Sequence, residues 1–255
     1  PAYCWGYDFD HGSVATKDFV DRVTSFGMQE YRIDGIRFDF TKGFVNAQTD
    51  QSVTRQNLLK RMGDTIWAIN PNAHLILEHW CSNTEEKILS DYGFMLWGNQ
   101  TYNFHQAASG NSQSNFSWAY HGSRGWTQPG LVSYPESHDE ERLMYEVNTY
   151  GNTSNPNHNP RSLATGLGRA EAVNLFAYLI PGPRMIWMFG ELGYDVSINN
   201  PCRVCNKPIL WNYYQVPERR RLYDVTAAIF KVRQAHPGTF RAGNFSHSLA
   251  GSMQR

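Results

Sequence analysis

The sequence predicts an α/β fold built on a parallel sheet. Three observations carry that expectation: short apolar runs of strand character, helical periodicity between them, and acids where three of the runs end. The strand-like runs are "RIDGIRF" (32–38), "HLILEHW" (74–80), "GFMLW" (93–97), "LVSYPES" (131–137) and "RMIWMFG" (184–190). A first helix is predicted over 17–30, where Phe19, Val20, Val23 and Phe26 share one face. Residues 52–69 repeat the pattern with Leu58, Met62, Ile66 and Ile69, and stop at Asn70-Pro71. Ala172, Val173, Phe176 and Leu179 mark a third helix before Pro181-Gly182-Pro183, and Leu222, Val225, Ile229 and Val232 a fourth, ended near His236-Pro237-Gly238. Strands alternating with helices imply right-handed βαβ units, hence parallel strands.

The bulk numbers narrow the class. The 255 residues carry 23 basic and 23 acidic side chains, so the balance points to neither nucleic acid nor an anionic membrane. No apolar run reaches the roughly 18 residues of a membrane span, and the opening residues do not read as a signal peptide. Pro1 in place of an initiator methionine predicts a processed or truncated start. Trp5, Trp80, Trp97, Trp118 and Trp126 sit within two residues of Gly, Asn, Ser or Thr, in loop-like surroundings where an indole face suits a sugar ring.

Four cysteines do not make a disulfide scaffold in a chain this long. Cys202-Arg203-Val204-Cys205 has the spacing of half a zinc site or a redox pair, but Cys4 and Cys81 stand alone. Structural thiols or a local bridge are therefore expected over a metal centre. The polar loop 148–162 is long enough to be functional, and the pattern after Pro237 reads as the opening of a β-rich module.

Asp39 follows "GIRF", Glu78 follows "LIL" and Asp139 follows "SH". Parallel α/β sheets and barrels place their chemistry at these C-terminal strand ends. Arg37 and Asp39 are two apart on a strand and point the same way, so a guanidinium is expected to keep Asp39 ionised. Glu78 follows Leu75, Ile76 and Leu77, and apolar surroundings raise a carboxyl pKa. One ionised acid beside one that keeps its proton is the requirement of retaining glycoside hydrolysis. Asp34, on the other side of Gly35, reads as structural.

These residues resemble the alpha-amylase family of glycoside hydrolases. "DGIRFDFTKG" is similar to the family's Gly-x-Arg-x-Asp-x-x-Lys-His signature through Gly35, Arg37, Asp39 and Lys42. "LILEHW" resembles the signature with a strand-terminal Glu, and "ESHDEER" the one with a His-Asp pair. The resemblance implies Asp39 as nucleophile, Glu78 as general acid and base, and Asp139 as stabiliser of the oxocarbenium-like transition state. It assigns Arg37, Lys42, His79, Trp80 and His138 to the substrate, with Arg37 also orienting Asp39. Position 43 is Gly where the family often has His, and no Asp-x-x-x-Asn-His signature is present.

That absence and the strand count imply a partial TIM (β/α)8 barrel, about its fourth to eighth strands. Residues 1–16 would then be the tail of an excursion domain, 17–237 the C-terminal part of the barrel and 238–255 the start of a C-terminal β-domain. The implied reaction is cleavage of internal α-1,4 bonds in starch-like polysaccharides. Alpha-glucosidases, debranching enzymes and transglycosylases share the same three acids. The implied partner is an oligo- or polysaccharide of α-linked glucose, and the implied location extracytoplasmic or secreted. Calcium (Ca2+) is the implied cofactor, with most ligands outside this chain and a backbone carbonyl near Gly43 as a contributor.

Two other readings follow from the same residues. A metal-dependent hydrolase would use Glu78, His79, His138 and Asp139 as ligands, but the sequence lacks a His-x-His pair on one strand. A non-catalytic carbohydrate-binding relative would be expected to have lost one of the three acids, and none is replaced.

Overall fold

A computed structural model describes residues 7, 9–46, 49–241 and 245–248. Two compact units emerge, Pro1–Trp97 with Arg124–Leu131, and Gly98–Ser123 with Val132–Arg255.

The first unit opens with α1 (Val14–Glu30), whose Ser13 cap accepts a hydrogen bond from Thr16 N. Strand β1 (Gly35–Phe38), helix α2 (Val53–Trp67), strand β2 (His74–Leu77), helix α3 (Asn83–Tyr92) and strand β3 (Met95–Asn99) follow. Ser52 and Ser82 cap α2 and α3 in the same way as Ser13 caps α1. β1 pairs with β2, and β2 with β3, all parallel. Leu96 N then donates to Gly130 O at 2.8 Å, just before strand β4 (Leu131–Tyr134). Leu59, Ile66, Leu75, Leu77, Leu89 and Leu96 form the centre of this unit's core.

The second unit holds α4 (Thr101–Ser109), α5 (Leu143–Tyr150), α6 (Leu163–Leu179) and α7 (Pro217–Ala235). Phe104, Phe116, Val147, Leu167, Ala177 and Leu222 pack in its main core. Pro217 stands in the first turn of α7, where its missing N–H costs no bond. All of Leu131–Tyr134 is buried, as expected of a parallel strand covered on both faces.

One expectation needs correction. The run at 184–190 is not a strand: it makes one parallel bridge, Ser133 with Arg184, and its end turns through a left-handed Phe189. The Arg184 guanidinium donates back to the carbonyls of Ile180, Pro181 and Pro183, so the chain closes on itself instead of extending a ladder. Along α1 the apolar side chains are unequally covered. Phe19, Val23 and Phe26 remain 49%, 53% and 54% exposed, and Val20 and Met28 are what reach the core. Most of the expected β-module after Pro237 falls outside the described residues. Trp5 and Cys4 also lie outside them.

Candidate active site

Sheet register sets up an acid pair in the first unit. Phe38 is paired with Leu77, so the next residues, Asp39 and Glu78, leave two neighbouring strands at the same level. Glu78 N donates to Phe38 O at 3.0 Å and Thr41 N to Glu78 O at 2.8 Å, which carries the alignment one step past the strands. Phe40 and Trp80, each just beyond an acid, adopt left-handed backbone with φ of 37° and 49°. For bulky residues this costs on the order of 1 kcal/mol each, a strain typical of functional turns.

The two carboxyls occupy different environments. Asp39's side chain is 79% exposed and Glu78's only 4%. Arg37 Nη1 donates to Asp39 Oδ1 at 2.7 Å. Its Nη2 lies 2.9 Å from Glu78 Oε2 as an ion pair without hydrogen-bond alignment. The guanidinium also sits 5.1 Å from the centre of the Trp97 ring. Phe40 N donates to Glu78 Oε2 at 2.9 Å. Burial, and then a hydrogen bond shared with Asp39, push the Glu78 carboxyl up to about 7, against the opposing pull of Phe40 N and Arg37. Glu78 can thus hold a proton near neutrality and give it up in the same range.

Beneath Glu78 lies a fully buried polar chain. Glu85 takes Arg55 Nε at 2.7 Å, Arg55 Nη2 at 3.0 Å and Ser52 N at 2.6 Å. Burial alone would raise Glu85, but the hydrogen bonds from His79, Arg55 and Ser52 outweigh it and hold the carboxyl at about 2. Burial lowers the His79 pKa and so favours its neutral form. Neutral His79 donates from Nε2 to Glu85 Oε1 at 3.0 Å, and its Nδ1 lies 2.8 Å from Thr41 Oγ1, whose hydroxyl donates to the Glu78 carbonyl at 3.0 Å. His79 is therefore no sugar contact, contrary to the expectation from sequence. It is buried, with one ring nitrogen on Thr41 and the other on Glu85.

Lys42 donates to Asp50 Oδ1 at 2.6 Å and reaches the Trp80 carbonyl at 3.4 Å. Trp80 itself is 38% exposed and free to stack. Trp126 is buried, its Nε1 donating to Asn83 Oδ1, so it belongs to the core. Trp118 is exposed.

In the second unit Asp139 N donates to Ser137 Oγ at 3.2 Å, and Ser137 Oγ in turn donates to Glu140. His138 Nε2 lies 3.1 Å from Asp139 Oδ2, with its ring 5.9 Å from that of Trp187. Both side chains are partly exposed. Buried Glu136 accepts from Leu143 N at 2.8 Å, and Arg142 Nη1 donates to Ser137 O, so the turn is tied to the start of α5. Burial pushes the Glu136 carboxyl up to about 7. A cavity of about 1490 Å³ between α4 and α6 is lined by Gln106, Asn111, Phe116, Asn152, Arg169 and Phe176 among others, and none of the candidate acids lines it.

Sequence reasoning missed Arg55, Glu85, Glu136 and Arg203. The signal for Glu85 was present as Ser82-Asn83-Thr84-Glu85, a capping-box pattern. Cys202 and Cys205 form the local bridge, a disulfide of 2.00 Å.

Among the described residues one group could offer three metal ligands, His79, Cys81 and Glu85. It does not fit calcium, which takes six to eight oxygens, because it holds a single carboxylate. It does not fit zinc either, since Arg55 occupies both Glu85 oxygens and burial pushes the Cys81 thiol up to about 12. No helix among the described residues is long and apolar enough to cross a membrane.

No protein-family model and no curated protein matches the chain. Solved structures do. Amy13B of Eubacterium rectale superposes with a TM-score of 0.68 at 13% identity, over 94% of this chain and 50% of that one. The fold is that of the alpha-amylase-type barrel enzymes. A pullulanase from Bacillus acidopullulyticus gives 0.67 at 17% identity, over 92% and 30% of the two chains. The acarbose complex of an alpha-amylase from Geobacillus thermoleovorans gives 0.65 at 15%, over 93% and 48%. The chain thus spans about half or less of these neighbours, as a partial (β/α)8 barrel does.

Proposed function

We propose that this chain carries the acids of a retaining glycoside hydrolase that cuts internal α-1,4 bonds of starch-like glucans. The observation that carries the reading is the Asp39–Arg37–Glu78 arrangement: one exposed carboxylate held by a guanidinium, one buried carboxyl with its pKa near 7. In the first step Asp39 attacks the anomeric carbon while Glu78 gives its proton to the departing glycosidic oxygen. In the second, Glu78 takes a proton from water as the water oxygen displaces Asp39. Asp139 stabilises the positive charge on the sugar ring in both steps, and His138, Lys42 and Trp80 hold the substrate. His79 acts through Thr41.

The remaining strands of the barrel would come from polypeptide outside this chain, and the activity belongs to the closed barrel. The Cys202–Cys205 disulfide supports an extracytoplasmic location, where such bonds persist, as does a polymeric substrate. The test uses the longest open reading frame that contains the chain, incubated with amylose and with pullulan. Short oligosaccharides released from amylose with retained anomeric configuration, and lost in Asp39→Asn, are expected. Inverted products would sink the double displacement, and cleavage of pullulan alone would move the specificity to α-1,6 bonds.

A further inference from the structure

We propose that Arg203 is a positioning residue for Asp139, presented to it by the loop that the Cys202–Cys205 disulfide closes. The proposal rests on the reading that Asp139 takes part in the reaction. Arg203 Nη2 donates to the Asp139 carbonyl at 2.7 Å and lies 3.5 Å from Asp139 Oδ1. One guanidinium therefore touches both the backbone and the carboxylate of the same residue. An isolated, half-exposed ion pair of this kind fixes little, because a long side chain loses rotamer freedom to hold it. Here the loop itself is fixed.

Its base is tied to the residues after Asp139. Glu141 accepts from Ser197 Oγ at 2.7 Å and from Ile198 N at 2.8 Å. Its interior is gathered around Lys207, whose ammonium donates to the carbonyls of Ile198, Asn200 and Cys202 at 2.5, 3.3 and 2.5 Å. The disulfide then closes the four residues that include Arg203. Asp139 is thus gripped from two sides, by Ser137 Oγ at its own N–H and by Arg203 at its carbonyl. The carboxylate's other oxygen faces His138. A residue that stabilises transition-state charge works through its placement, and small displacements are costly in rate.

The experiment compares Arg203→Ala, Arg203→Lys and a Cys202→Ser/Cys205→Ser double variant with the unaltered protein. Two readouts are taken: hydrolysis of a maltooligosaccharide, and amide hydrogen exchange at residues 138–141. Arg203→Ala and the double variant are expected to lower kcat about tenfold with KM within about twofold. Exchange at 138–141 should speed up about tenfold in both, and Arg203→Lys should recover part of each effect because one contact survives. Unchanged exchange in Arg203→Ala overturns the proposal whether or not the protein turns over substrate. A raised KM with kcat intact also overturns it, by making Arg203 a substrate contact. Asp139→Asn is run alongside. Full kcat in that variant would remove Asp139 from the mechanism, while the exchange result would still decide what Arg203 does.

Discussion

Arg37 Nη2 stands 2.9 Å from Glu78 Oε2, but its N–H is not aimed at that oxygen. The other arm of the guanidinium is aimed, at Asp39 Oδ1. Glu78 therefore feels a positive charge without a directed hydrogen bond from it, while the bond it shares with Asp39 favours its protonated form. One arginine thus gives Asp39 a directed hydrogen bond and Glu78 only its charge, while burial is what pushes the Glu78 carboxyl up.

Removing that arginine should act on both. Arg37 lowers the Glu78 pKa, so Arg37→Ala should raise it above about 7 and move the alkaline limb of the pH–rate profile upward. The same change frees Asp39 from its 2.7 Å partner, and kcat should fall about 100-fold or more. A pH–rate profile of the variant reads both. An alkaline limb that moves down would show that Glu78 is not the titrating acid.

Glu136 makes a stability prediction whose sign is fixed. Its folded pKa, about 7, lies above the ordinary carboxyl value of 4.5, so the folded state holds a proton that the unfolded chain has released. Its unfavourable effect is absent below about 4.5, grows as pH rises and is complete above about 7. Glu136→Gln keeps the acceptor for Leu143 N but cannot ionise. The variant's stability relative to the parent should therefore increase between pH 4.5 and 7, by at most about 3 kcal/mol. Urea unfolding at several pH values measures it, and a pH-independent difference would refute it.

What could be read in advance follows from which physics is local. β1 and β2 were legible because an apolar run ending in an acid is a local pattern, and parallel register then aligned Asp39 with Glu78. His79 was misread because its neighbours in sequence, Glu78 and Trp80, are candidate site residues, whereas its partners Thr41 and Glu85 lie elsewhere in the chain. Periodicity in α1 is limited in a related way: it shows that Phe19, Val23 and Phe26 share a side, not what covers it. Arg203 was hidden behind its cysteines, whose spacing suggested a bridge but not the carbonyl the arginine would meet.

Trp80 tests the binding side of the proposed function. Its ring is partly exposed on a left-handed turn directly after Glu78 and His79. Trp80→Ala removes an aromatic face worth about 1 kcal/mol, so KM for maltooligosaccharides should rise about fivefold with kcat little changed. Equal losses in kcat and kcat/KM would instead mean that the turn positions Glu78.

The Arg55–Glu85 pair makes the last prediction, and it separates a buried ion pair from an ion pair that also organises its surroundings. Both side chains are wholly buried, so Arg55→Ala strands a carboxylate and should cost about 3–5 kcal/mol. For many buried pairs, replacing both partners with apolar residues restores stability. Glu85, however, also receives Ser52 N and His79 Nε2. In Arg55→Met/Glu85→Leu those two donors would be left without an acceptor, at about 1–3 kcal/mol each. The double variant should therefore stay well below the parent in urea unfolding. If it matched the parent, Glu85 would be no more than Arg55's counter-ion, and the buried chain from Glu85 through His79 to Thr41 would have no part in holding Glu78.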